Sequence, residues 1–210
     1  MSLLLIGYRW SVYSWAVRMA LAEAGLAAEW QEADPFDAGA QDGLRKHHPF
    51  GRVPVLWDGT FRLYETGAIL AYLLPGAHDR KRRARARQVA GIADNYAYWP
   101  LVRQVFSHGV FRPDSGMAAD GAVVAEGLAA APAVLGALEE IAEEGLALDA
   151  IQVGAADCHL APMIGYFSQD QRGAALLAAA PALARWFALV SERDSFRTTR
   201  PDLSELRRRA

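Results

Sequence analysis

Two short stretches carry groups suited to gripping an extended, charged ligand. In the first, Val53-Pro54-Val55-Leu56-Trp57 reads as a buried strand with a proline at its second position. Proline has no N–H, so sheets keep it to edges, bulges or the first residue of a strand. An X-Pro bond adopts the cis form at a cost of only about 0.5–1 kcal/mol. A cis bond at Val53-Pro54 would turn the N–H and C=O of Val53 out of the sheet, free to pair with a ligand as an added strand would. A trans proline that merely starts the strand fits the same pattern. In the second stretch, Glu65-Thr66 stands at the head of a short helical run. The Thr66 hydroxyl and the free N–H groups of a helix start suit a carboxylate, and Glu65 suits an ammonium. The same pair also reads as a plain helix cap. A third group is a set of hydroxyls, Tyr8, Ser11, Tyr13 and Ser14, crowded just after the first apolar run.

The elements that must hold these residues follow from patterning. Leu3 to Ile6 is a continuous apolar run closed by Gly7, the mark of a central strand. Ser14 to Ala24 has helical spacing, with Val17, Ala20, Leu21 and Ala24 on one face and Gly25 as the stop. Ala28 to Ala33 is a candidate second strand, and residues 34–48 read as loop with room for one short helix. Val53–Trp57 and Phe61–Tyr64 are two strands joined through Asp58-Gly59, a strong hairpin signal. Thr66 to Leu74 is a short helix ended by Pro75-Gly76. Beyond it alanine dominates, and helical patterns cover roughly Lys81–Val110, Gly121–Glu144, Ala155–Phe167 and Pro181–Glu192. Pro100, Pro132 and Pro162 are expected to kink or divide them. The pattern predicts an α/β domain over residues 1–76 and an all-α domain over 81–210, with the boundary in 76–80.

Composition narrows the function classes. The chain has 210 residues, 52% of them hydrophobic, enough for a sizeable core. Its formal net charge of -2 gives no general attraction to nucleic acid or anionic lipid. The basic run from Arg80 to Arg87 lacks interleaved aromatics and reads as a solvated helix start. The tail Arg207-Arg208-Arg209 reads as frayed and solvated. A single cysteine, Cys158, permits no internal disulfide, which fits a reducing compartment and a cytoplasmic protein. The opening apolar run is too short for a membrane span and has no basic lead-in. No metal site is expected.

His48-Pro49-Phe50-Gly51-Arg52-Val53-Pro54-Val55-Leu56, followed by Glu65-Thr66-Gly67-Ala68-Ile69, resembles the glutathione-binding half of the cytosolic glutathione transferases. Gly154-Ala155-Ala156-Asp157 resembles the capping box of that family's helical domain, with glycine in place of Ser/Thr. The resemblance spans nearly the whole chain. It implies a thioredoxin-like N-terminal domain with an all-α C-terminal bundle, glutathione as co-substrate, a small electrophile as second substrate, and a homodimer. It implies main-chain pairing of Val53 with the tripeptide's cysteinyl residue, and hence a cis bond to Pro54. Glu65 and Thr66 would hold the γ-glutamyl end. Arg52 would reach the glycyl carboxylate, with Lys46 and His48 as rivals. A non-catalytic glutathione or hydrophobic-ligand binder, and a glutathione-dependent isomerase, are the alternatives on the same scaffold.

The implied chemistry needs a thiolate. A thiol near pKa 8.5 is only a few per cent ionised at pH 7. Lowering it by about two units takes roughly 2.7 kcal/mol, which a hydroxyl donor and a helix N-terminus can supply. Ser11-Val12-Tyr13-Ser14-Trp15 resembles the serine-type members, notably the zeta class, and places Ser11 at the catalytic serine. Tyr8 is the runner-up, and Ser14 is expected to cap the first helix. Cys158 is expected to be core packing, and Asp157 to sit at N3 of its helix, accepting from Gly154. Asn95, Tyr98, Trp99, Arg103, Phe106 and His108 are candidates for the second-substrate wall. Asp94 is a candidate for reaching a partner subunit's ligand.

Overall fold

A computed structural model describes residues 2–208. β1 (Leu3–Gly7) runs through the middle of a four-stranded sheet. It pairs in parallel with β2 (Ala28–Glu32), Leu5 opposite Trp30, and antiparallel with β3 (Val55–Asp58), Leu5 opposite Leu56. β4 (Phe61–Tyr64) closes the far edge as a hairpin partner of β3. Successive side chains on a strand point to opposite faces. Leu3, Leu5 and Leu56 therefore enter the main core, beneath α1 (Val12–Glu23) and α3 (Thr66–Leu73). Ile6 and Val55 point the other way and bury Leu44 of α2 (Gln41–His47).

The first correction concerns the start of β3. The strand begins at Val55, so Pro54 precedes it rather than interrupting it; the Val53–Pro54 bond is cis, as expected. The second concerns α1, which starts at Val12 with Ser11, not Ser14, as its cap. Its end is as expected: Gly25, with φ 65°, takes the left-handed position that glycine reaches without steric cost.

The rest of the chain is helical. α4 (Arg80–Ile92) continues without a break into a π-helical stretch (Ala93–Phe111) and a last turn, α5 (Arg112–Asp114). Then come α6 (Gly121–Glu144), α7 (Ala155–Phe167), α8 (Gln171–Ala178) and α9 (Pro181–Ser191). Two short helices, α10 (Asp194–Thr199) and α11 (Ser204–Arg207), finish it. Pro100, Pro132 and Pro162 each lie inside an element and divide none of them. Burial explains two of these: Pro100 and Pro162 sit where the surrounding core holds the helix in place.

α7 is the hub. Every residue from Ala156 to Phe167 is buried, as expected for a helix surrounded by others. It packs against α1 and α3 on one side and against α4, α9 and the π-helical stretch on the other. α6 is long and apolar enough to cross a membrane by length and composition alone. Ala131, Val134, Leu135 and Leu138 turn its apolar stripe onto the π-helical stretch and α9.

The basic run is tied down within the chain. Asp79 caps α4 by accepting from the Arg82 N–H at 2.8 Å. Arg82 pairs with Asp149 at 2.9 Å, and Arg85 grips Glu144 at the end of α6. Of the arginine tail, Arg209 lies outside the described residues, while Arg207 pairs with Asp114 at 3.0 Å.

Candidate functional site

A cleft of about 560 Å³ opens between the sheet domain and the long helix. Ser11, Arg52, Val53, Pro54, Glu65 and Thr66 all line it, brought together from three separate segments.

Ser11 sits at the N-cap of α1. Its Oγ accepts from the Ser14 N–H at 3.2 Å, so the hydroxyl proton remains to be given elsewhere. The amides of Val12 and Tyr13 have no partner among the described residues. The N-terminal pole of a three-turn helix thus faces the cleft beside Ser11. Ser14 is fully buried and its Oγ accepts from the Tyr8 N–H at 3.2 Å, which locks the loop. Gly7 permits this closeness: a Cβ there would lie 2.9 Å from Ser14 Oγ and 2.5 Å from the Trp30 ring. Tyr8 also lines the cleft, with its ring edge-on to Trp10 and Phe36.

The N–H and C=O of Val53 have no hydrogen-bond partner among the described residues. An open main-chain edge therefore faces the cleft. Beyond it Glu65 is the N-cap of α3, with φ 71° and ψ 118°. A non-glycine residue there costs on the order of 1–3 kcal/mol, and such strain gathers at functional sites. The turn leaves the Thr66 and Gly67 amides and the Thr66 hydroxyl without partners among the described residues. Together they form an anion cradle at a helix start.

His48, a rival for the glycyl carboxylate, also lines the cleft. It is buried, its Nδ1 accepts from the Phe50 N–H at 3.2 Å, and its ring tilts on Tyr64. Burial pushes its pKa down, against the pull of Glu65. That places it as a neutral brace for the loop, with Nε2 3.9 Å from Glu65 Oε1. Lys46 does not line the cleft; its carbonyl takes Arg62 at 2.8 Å.

Of the second-substrate candidates, Tyr98, Arg103 and Phe106 line the cleft, and Asn95, Trp99 and His108 do not. Asn95 bonds back to the Gly91 carbonyl, and Trp99 faces solvent. Asp94 was expected to reach toward a partner subunit. It lines this chain's own cleft and holds the buried His159 of α7, Oδ1 to Nε2 at 2.9 Å. Tyr13 packs on both Tyr98 and His159, and burial and then Asp94 push its phenol up. Sequence reasoning missed this Tyr13–Asp94–His159 cluster, whose members lie on three elements. Trp10, Phe36 and Phe111, which complete the apolar wall, were missed too.

Asp157 is at N3 of α7 and accepts from the Gly154 N–H at 2.9 Å, as expected. Its other oxygen accepts from Trp186 Nε1 at 2.7 Å. Cys158 is buried in the same helix, where burial pushes its thiol up. Among the described residues no group of three or more His, Cys, Asp or Glu could hold a metal ion.

Comparison with known proteins fits this arrangement. Residues 10–74 match the model of the glutathione S-transferase N-terminal domain, and residues 121–189 that of its C-terminal domain. A glutathione S-transferase of Silene vulgaris is 31% identical over 170 residues, covering 74% of this chain and 77% of that protein. The chain belongs to the glutathione S-transferase family. Glutathione S-transferase F7 of Arabidopsis thaliana is 28% identical over 156 residues, covering 70% of this chain and 74% of that protein. The fold of this family member also matches glutathione transferase F7 of Populus trichocarpa. That structure has a TM-score of 0.79 at 22% identity, over 98% of this chain and 99% of that one. The thioredoxin-like sheet domain followed by a helical domain is the family's fold.

Proposed function

We propose that the cleft binds glutathione and conjugates it, through its sulfur, to a small electrophile. The observation that carries this reading is that three sets of groups without partners among the described residues meet at one cavity: the Val53 main chain, the Thr66 hydroxyl and amide at the start of α3, and the hydroxyl proton of Ser11. Val53 pairs with the cysteinyl residue of the tripeptide as an added strand. The cradle at the start of α3 takes the γ-glutamyl carboxylate, and Glu65 its ammonium. Arg52, exposed on the cleft rim, takes the glycyl carboxylate.

That placement leaves the sulfur beside Ser11. A hydrogen bond to a charged group contributes about 1.5–3 kcal/mol, and a helix N-terminus typically 0.3–1. Together they match the roughly 2.7 kcal/mol that a two-unit fall in thiol pKa requires. Ser11 is set to donate because its oxygen already accepts from Ser14. The thiolate then forms a C–S bond to the electrophile, and a leaving group departs with the electron pair or a proton is taken up.

The domains divide at residues 76–80, into 1–76 and 81–210. The protein works as a cytoplasmic homodimer in the removal of reactive electrophiles, without nucleic acid or membrane. Large exposed aromatics support the dimer: Phe61 and Tyr72, whose rings lie 5.5 Å apart, with Tyr96 and Trp99 on the long helix.

Calorimetry with glutathione, sedimentation, and turnover of an activated aryl chloride test the reading on one preparation. Saturable binding, twice the chain mass and glutathione-dependent release of chloride are expected. Binding without turnover on aryl halides, epoxides or enones would make the protein a binder instead. Absence of glutathione binding would overturn the assignment of the cleft.

A further inference from the structure

Arg103 stands out among the charges of the cleft. It is half-buried on the π-helical stretch, with its guanidinium 5.6 Å from the centre of the Phe36 ring. It makes no ion pair or hydrogen bond with any described residue. The other half-buried arginines are all engaged: Arg9, Arg82 and Arg85 pair with carboxylates, and Arg18 and Arg112 donate to main-chain carbonyls. A guanidinium presents up to five donors in a planar fork that matches a carboxylate. Leaving it unmatched inside a cleft marks a place for an anion.

The other charges do not account for it. The cleft holds two carboxylates, Glu65 and Asp94, and two guanidinium groups, Arg52 and Arg103. Asp94 is engaged by His159 at 2.9 Å. His48, its pKa pushed down by burial, adds no cation. Glutathione brings one ammonium and two carboxylates. Glu65 matches the ammonium, the α3 cradle matches one carboxylate and Arg52 the other. Arg103 is the remaining cation. Its surroundings are aromatic: Phe106 stacks on Tyr166 with ring centres 3.9 Å apart and 5° between planes, and Phe111 and Trp10 extend that wall. A cleft lined by aromatic rings beside a fork of N–H donors suits an aromatic ring carrying an acid group.

We propose that Arg103 binds the carboxylate of the second substrate, so that the cleft selects aromatic electrophiles bearing an acid group. The inference rests on the transferase reading above and names its substrate class. In an aryl chloride of this kind the glutathione thiolate, its proton already lost to solvent, adds to the ring carbon bearing chlorine. The C–S bond forms, the negative charge passes to an ortho nitro group, and the C–Cl bond breaks with chloride taking the electron pair. Arg103 holds the far end of the ring and takes no part in bond making.

The test compares 4-chloro-3-nitrobenzoate with its neutral amide, each rate divided by its uncatalysed reaction with glutathione. The parent protein is expected to favour the benzoate. Arg103→Met, which keeps the apolar stem, is expected to lower kcat/KM for the benzoate roughly ten- to a hundredfold. The amide should change less than about twofold, and the KM for glutathione should stay as it was. An equal loss on both substrates, or a raised KM for glutathione with no change in preference, would overturn the proposal. Calorimetric binding of 3-nitrobenzoate against 3-nitrobenzamide reads the same preference without turnover. The two failures are thus distinguishable. A parent that prefers the acid but conjugates nothing retains the Arg103 site and loses the transferase reading. A parent and an Arg103→Met variant that bind the two probes alike lose the Arg103 site, whatever their turnover.

Discussion

In the proposed function Ser11 uses its one oxygen and its one proton separately. The oxygen caps α1 through Ser14, and the proton would go to sulfur. Removing it should show both losses separately. Ser11→Ala is expected to destabilise the protein by about 1 kcal/mol, the ordinary worth of a helix cap. It is also expected to raise the pKa of bound glutathione by roughly one unit, about tenfold less thiolate at neutral pH. Thiolate absorbance titrated with pH reads the second effect, and glutathione affinity should hold because the tripeptide is gripped elsewhere. Ser11→Thr should restore both. A shifted titration in Tyr8→Phe with none in Ser11→Ala would move the role to Tyr8. At this scale the sequence was legible where the cleft lining is contiguous. Val53, Pro54, Glu65 and Thr66 fall within 14 consecutive residues, and contiguous chain carries its own geometry. Asp94 and His159 are 65 residues apart, and nothing in either neighbourhood announces the other. The strained backbone at Glu65 was equally hidden, because glutamate gives no sign of a positive φ.

Helix α7 shows what an element adds to its residues. Its N-terminal cap pattern could be read directly: Asp157 at N3 accepts from Gly154. The Trp186 indole on the other oxygen could not, because α9 meets α7 only after the chain has folded back. The expectation that internal prolines would kink or divide helices fails, for the same reason, only as to division. The cost of a lost hydrogen bond is local, while the burial that outweighs it is not. Burial raises the Asp157 carboxyl to about 6, against the pull of its Gly154 and Trp186 donors. An unfolded aspartate titrates near 3.9. Between those values the folded protein binds more protons than the unfolded one, so stability falls as pH rises. The contribution is full below about pH 4 and is lost as pH rises through about 6. Over that window the parent's unfolding free energy, relative to Asp157→Asn, should fall by an amount on the order of 3 kcal/mol. Carboxylates held low by arginine, such as Asp170 beside Arg172, have the opposite dependence but cancel in the difference. Chemical denaturation at a series of pH values measures it. A difference that stays flat would mean the two N–H donors hold Asp157 ionised throughout.

Over the whole molecule, composition and strand patterning place a sheet domain before a helical one, yet they hide how closely the two are joined. One hydrophobic core runs from Leu3 and Leu5 in the sheet, through Trp15 of α1, to Leu160 and Ile164 of α7 and Trp186 of α9. Trp15 is the pivot. Its ring lies 5.2 Å from that of Tyr166 and 4.8 Å from that of Phe196, and its Nε1–H donates to Thr199 at 3.1 Å. Tyr166 in turn donates to the Trp10 carbonyl at 3.0 Å, and Arg193 forks onto Glu23 at 2.7 and 2.8 Å. Separating the halves would expose this apolar surface and strand buried donors, which makes an intermediate with one half folded costly. Heat or denaturant is therefore expected to unfold the chain in one step. Far-ultraviolet circular dichroism and tryptophan fluorescence should give coincident curves, and calorimetric and van't Hoff enthalpies should agree. Trp15→Ala is expected to cost about 3–5 kcal/mol and to lower the midpoint without splitting the transition. Glutathione, though its proposed contacts fall mainly on the sheet domain, should raise the midpoint of both probes together. Two resolved transitions in the parent, or a ligand shift confined to one probe, would show that the shared core does not couple the domains.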